Sequence, residues 1–389
     1  MQVIDWDLAV STGTRLVRPG PQVTREEARQ AVSDLRRLSR EAERHVREFT
    51  RIDGGASAQA ATIVDRPGWI KANVAGFRVV LEPLTQRMSG EGRTQPPAIV
   101  AAVGSRITGV EVGAVLAFLA SRVLGQYELF LPPDPSGRAP TGRLTLVAPN
   151  IVNAERELGV DPGDFRLWVC LHEETHRVQF TGVPWLREYV RSQMTEFLLA
   201  SDLDLPTLLE RLRTAADAVA DAVRGGEGNL IDAIQTPEQK KILERLTAVM
   251  TLVEGHGDYV MDAVGPSVVP SVTEIRTRFQ QRREGGSRVD RTVRRLLGID
   301  LKMKQYAEGS AFVRTVVDRV GMDGFNKVWG SPSTLPTQAE IADPERWIAR
   351  VVTAPALETP HLNGSPGGGP AEPASGSVDG DGDGPPREG

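Results

Sequence analysis

The stretch DPGDFRLWVCLHEETHRVQF, Asp161–Phe180, constrains the fold more than any other. Asp161 can accept hydrogen bonds from the amides of a first helical turn, Pro162 arrives with its φ already set for a helix, and Gly182 closes the far end. The spacing therefore predicts one capped helix. Its centre is polar, with His172, Glu173, Glu174, His176 and Arg177 in six positions, so the fold must offer that centre water, opposite charge or a metal ion.

His172 and His176 are four positions apart, which puts both imidazoles on one helix face, one turn apart, within reach of a single ion. Glu173 lies beside them, where its carboxylate can hold a metal-bound water; this is the HExxH arrangement of zinc peptidases. The same letters would also serve as a solvated polar face with Leu171 and Val178 packed behind it. Cys170 points to another side and reads as a small buried hydrophobe. A catalytic zinc uses three protein ligands and leaves a fourth position open, so two histidines are not enough. Gln179 and Gly182 stand where the metzincin pattern requires glycine and a third histidine, which excludes that subclass.

Of the other imidazoles, His45 sits on the charged face of a long helix and His361 lies near the C-terminus. His256 lies in TLVEGHGDYVMD, Thr251–Asp262, where Glu254, Asp258 and Asp262 recur every four residues and so line one helix face. An acidic stripe among Leu252, Val253, Val260 and Met261 is costly to bury unless something positive faces it, and zinc would supply that charge. Gluzincin-type peptidases carry the third ligand on a second helix as Glu-x-x-x-Asp, and Glu254 and Asp258 match that spacing. Glu254 is the expected third ligand and Asp258 the group that orients a ligand histidine. His256 is the rival ligand, although two residues on it points away from the Glu254 face. His256 and Tyr259 are also the candidate donors to a developing oxyanion, Tyr259 being equally suited to a core. Arg187 and Arg191, on the helix after the motif, could meet a substrate carboxylate or simply form a solvated face.

A net charge of −5 argues against a nucleic-acid partner, and a single cysteine excludes an internal disulfide and suits a reducing, cytoplasmic compartment. The N-terminal MQVIDWDLAV has acids where a secretory signal needs basic and then apolar residues. The apolar segment Ile99–Leu124 is interrupted by Arg106, Glu111 and Arg122, so it reads as a buried helix whose Gly109, Gly113 and Ala117 admit a close neighbour, with no membrane span.

The rest of the chain predicts a mainly α fold with a small β-sheet, of the α+β class. Thr24 and Glu27 form a capping box for a helix from Arg25 to Phe49, and another helix begins near Trp69 after the turn at Pro67-Gly68. YELFL and RLTLVAPNIV, between Tyr127 and Val152, read as two strands joined by a loop. Further helices are expected over Trp185–Ala200, Pro206–Val223, Pro237–Val264, Val289–Leu297 and Met303–Val320, with a loop at Arg282–Arg288. The chain divides into a mostly helical region over 1–125, a motif-bearing region over 126–354 and a disordered Gly/Pro/Asp-rich tail over 355–389. DGDGDG, Asp379–Gly384, begins like a calcium loop, but the chain ends before the Glu such a loop needs.

HEETH with VEGHGDYVMD, together with DWDLAV, VDRPGWIKANVAGF, VLGQYELFLP and QYAEGSAFVRTVVDRVGMDGFNKVWGSPSTLPTQAEIADPERWI, resembles an actinobacterial family of zincin-like metallopeptidases over residues 3–352. Members of that family are often labelled as associated with biosynthesis of the deazaflavin coenzyme F-420; no dinucleotide or phosphate motif in this sequence supports the label. The resemblance implies a zincin-like catalytic region at 126–354, one Zn2+ per chain, His172, His176 and Glu254 as ligands and Glu173 as base; it supplies no substrate, and a peptide or protein is expected from the amide hydrolysis such a site performs. A non-catalytic zinc-stapled binding protein and an accessory factor in deazaflavin coenzyme metabolism are the competing readings.

Overall fold

The computed structural model describes residues 4–54, 59–88, 98–133, 142–200, 237–284 and 299–353. The expected helices at Pro206–Val223 and Val289–Leu297, most of the expected loop at Arg282–Arg288, and the tail with DGDGDG and His361 lie outside the described residues.

Local chemistry starts most elements. Asp5 caps α1 (Trp6–Leu16) by accepting from the Leu8 amide at 2.9 Å. Both bonds of the Thr24–Glu27 capping box are present at the head of α2 (Arg25–Thr50). After β1 (Thr62–Val64) comes α3 (Arg66–Met88), which begins three residues before the expected start, because Asp65 accepts from the Gly68 amide at 2.7 Å and Pro67 fits a first turn. Next come α4 (Ala98–Ala120), β2 (Gly125–Glu128) and β3 (Arg143–Val147). The expected second strand stops at Val147, and its remainder opens α5 (Ala148–Leu158). Pro149 has no amide for a ladder, while Ile151, Ala154 and Leu158 are buried at helical spacing. Then follow α6 (Pro162–Gly182), capped by Asp161, and α7 (Pro184–Leu199). Beyond them lie α8 (Pro237–Ala263), α9 (Val272–Glu284) and α10 (Ile299–Phe325), the last broken at Gly321, where φ is 72°.

The architecture is mainly helical with one three-stranded sheet in the order β1-β3-β2, so the α+β expectation holds. β1 runs parallel to β3 and β2 antiparallel to it, with Gly125 opposite Leu146 and Tyr127 opposite Leu144. Residues Met1–Thr353 form one compact unit. Its larger core gathers α2, β3, α5, α6, α8 and α10, with Phe165, Leu171, Leu252 and Phe312 fully buried. A smaller one joins α1, α3 and α4 around Trp6, Ile70 and Leu116. There the glycines of α4 act as expected: a Cβ on Gly109 would stand 2.6 Å from the Asp5 carbonyl, and one on Gly113 2.6 Å from that of Ala9. Among the described residues no helix is long and apolar enough to cross a membrane.

The central helix α6 is enclosed, so the solvated-face reading of HEETH does not describe it: Glu174, Thr175 and Gln179 have no exposed surface. Burying ions there requires partners. Arg177 binds the Glu174 carboxylate at 2.6 Å, Glu43 at 3.1 Å and the Gln59 carbonyl at 2.7 Å, while the Ser39 hydroxyl donates to Glu174 and Arg47 holds Glu43 at 3.0 Å. Burial pushes the Glu174 carboxyl up to about 7 despite Arg177 and Ser39. This network fastens α2 to α6.

Replacing Arg177 by Met removes one partner and leaves two carboxylates buried, so unfolding in denaturant should show a loss of about 3–5 kcal/mol. Arg191→Ala, which breaks an exposed pair with Glu188, should cost no more than about 1 kcal/mol.

Candidate metal centre

The i, i+4 spacing on α6 brings the two motif imidazoles edge to face with ring centres 4.7 Å apart, their Nε2 atoms converging to 3.1 Å. From α8, Glu254 Oε2 stands 3.5 Å from His172 Nε2 and 3.6 Å from His176 Nε2. The three donor atoms thus form a nearly equilateral triangle. A point about 2.0 Å from each lies at its centre, which is the bond length zinc takes to nitrogen and carboxylate oxygen. Among the described residues these three make the one cluster able to hold a metal ion. Their side chains keep 20%, 10% and 15% exposure respectively, so the cluster is sheltered yet open to solvent.

Charge holds the triad together. Burial alone would raise the Glu254 carboxyl, but the charge of His176 and the donors of both imidazoles hold it well below the usual carboxylate range. Burial alone would lower His176; Glu254, with Glu173 and Gln179, instead pushes it up to about 9. A proton and a metal ion therefore compete for the same nitrogen.

Glu173 projects towards β2. A Cβ on Gly125 would lie 2.6 Å from its carboxyl carbon, so only glycine lets that strand pass so close. Burial pushes the Glu173 carboxyl up, the two imidazoles opposing and Glu254 adding to the rise. On the other side α8 lies directly on the ligands: a Cβ on Gly257 would meet His172 Cε1 at 3.0 Å and His176 Cε1 at 3.3 Å. A glycine pair within a helix is itself a sequence signal of close approach, since helices disfavour glycine.

Asp258 lies on the expected side of His172, its Oδ1 3.7 Å from Nδ1, which has no hydrogen-bond partner. Arg276 of α9 anchors Asp258, donating to its carbonyl at 3.3 Å and standing 3.8 Å from its carboxylate. Sequence reasoning missed Arg276. It also missed Gln179, whose position one turn after His176 was a usable signal: its Oε1 meets His176 Nδ1 at 3.0 Å.

Two expected site residues lie elsewhere. Tyr259 is about 140° round the helix from Glu254, and its ring packs against Phe49 at 6.1 Å with Arg314 above it at 5.5 Å. That position makes it a core aromatic and keeps it from an oxyanion at the cluster. His256 is fully buried against Phe325 and Trp329, with ring centres 5.2 and 5.5 Å away, and burial pushes it down to about 3. It meets Gln179 and does not face the triad. Cys170 is buried, as expected of a small hydrophobe, and Arg187 donates to the Leu129 carbonyl at 3.1 Å while Arg191 pairs with Glu188.

Comparison with known proteins bears on the same residues. The profile of a family described as zincin-like metallopeptidase matches residues 4–348. A crystal structure from Chloroflexus aurantiacus, of a candidate hydrolase with a novel fold, is 30% identical, covers 89% of this chain and 98% of its own, and superimposes with a TM-score of 0.63. No curated protein gave a significant match. Because that family profile matches nearly its whole length, the chain belongs to the zincin-like metallopeptidases.

Proposed function

We propose that this protein is a zinc-dependent metallopeptidase of the gluzincin kind, with His172, His176 and Glu254 holding one Zn2+ and Glu173 as general base. The observation that carries the reading is the convergence of the three donor atoms beside a buried carboxylate that is not one of them. A zinc ion held by these three residues would supply an acidified water and polarise a carbonyl. Glu173 takes the proton of the attacking water and delivers it to the leaving nitrogen; burial, which pushes its carboxyl up, makes it a stronger base for the first transfer. Asp258, held by Arg276, keeps His172 turned towards the triad.

A peptide fits this arrangement better than a compact small substrate. β2 pairs with β3 alone and ends the described sheet, and Gly125 on that strand lies against the Glu173 carboxyl. An extended chain laid along that edge gains backbone hydrogen bonds and brings an amide to the base. The rival, a non-catalytic zinc staple, needs a fourth protein ligand; His256 commits its Nδ1 to Gln179, which favours the open site.

Mass spectrometry of purified protein should find about one zinc per chain, lost in Glu254→Ala; no zinc in the wild type would sink the proposal. Glu173→Gln should keep the zinc and lower kcat/KM on a peptide library by about 10²–10⁴-fold. Gly125→Ala, which pushes a Cβ into the Glu173 carboxyl, should likewise lower kcat with zinc affinity unchanged. Because His176 must lose its proton to bind metal, zinc affinity should rise about tenfold per pH unit up to about 9 and then level off, as chelator competition would measure.

A further inference from the structure

Gln179 has no exposed surface, and three of its hydrogen bonds cross between the two ligand-bearing helices or run along one of them. Its Nε2 donates to the Val253 carbonyl at 3.0 Å and lies 2.9 Å from His256 Nδ1, while its Oε1 lies 3.0 Å from His176 Nδ1. The Val253 carbonyl can only accept, so the amide nitrogen must face α8 and the oxygen must face His176. That oxygen can only accept in turn, which places a proton on His176 Nδ1 and leaves Nε2 as the nitrogen that faces Glu254 and His172 and would bind an ion. The second amide hydrogen needs its own acceptor in this dry interior, and His256 Nδ1 is the atom that takes it. Phe325 and Trp329 pack against the His256 ring, with ring centres 5.2 and 5.5 Å away.

We propose that Gln179 and His256 are a positioning pair that locks the tautomer and rotation of His176 and so preforms the metal site. The proposal rests on the zinc-ligand role of His176. It gives His256 a function in place of ligand or oxyanion donor, and it explains why a histidine is kept in an apolar box two residues from Glu254. It also links the two helices twice more beyond the triad, through Val253 and through His256.

The test combines NMR of the His176 Nδ1 proton in the metal-free protein with zinc affinity by chelator competition. In the wild type the proton should be protected and visible. Gln179→Met, close in shape but without an acceptor, should lose the signal and weaken zinc by about 10- to 100-fold. His256→Leu should weaken zinc as well, and His256→Gln, which returns an acceptor to the same region, should recover most of the loss. The idea fails if Gln179→Met keeps the protected proton or binds zinc within about threefold of wild type. It fails for His256 if the Gln and Leu variants are equally weak. Should His256→Leu not fold, Gln179→Met alone decides. A wild type that binds no zinc but shows the protected proton, lost in Gln179→Met, would overturn the metallopeptidase reading and leave the pair standing.

Discussion

The site depends first on how closely the backbone of α8 lies against the two imidazoles of α6. With hydrogen in place of a side chain at Gly257, the helix settles onto His172 and His176, and Glu254 reaches both from one turn back. The helix is held there from behind in the same way: a Cβ on Gly255 would fall 2.2 Å from the carbonyl carbon of Gly309 on α10. Each glycine weakens its own helix by about 1 kcal/mol relative to alanine. The approach they allow brings three candidate ligands together from residues about eighty positions apart.

The second constraint is the polarity of a helix that is buried almost all round. Each polar residue near the motif is matched by a different neighbour: Glu173 by the glycine gap of β2, Glu174 and Arg177 by α2, Gln179 by α8. Because an unmatched ion or amide in the core costs several kcal/mol, these partners fix the positions of the surrounding elements as firmly as apolar packing does. Catalytic geometry and fold stability therefore share one helix.

Features that depend on near neighbours in sequence were legible. The caps of α2 and α6, the pairing of His172 with His176, and the four-residue recurrence that pointed to Glu254 and Asp258 all express the period of a helix. β1, with three residues, was too short to show alternation, and β3 was overrun into α5 because an apolar stretch reads alike in either state. Tyr259 and His256 were drawn to the site by proximity in sequence, whereas the helix turns them towards Phe49 and Gln179. The role of Gln179 could not be read at all, since it depends on which atoms of a helix some seventy residues later lie opposite it. Arg276 was hidden for the same reason.

The adjacent acids of HEETH have opposite surroundings. Glu173 faces β2 and the triad, whereas Glu174 faces Ser39 and Arg177 inside the α2 contact. On the proposed function, natural or engineered variants at either position would read as inactive in a screen of catalysis, for unrelated reasons. Loss at the first leaves a full complement of folded protein, and loss at the second depletes the folded protein itself, so abundance separates them where turnover does not.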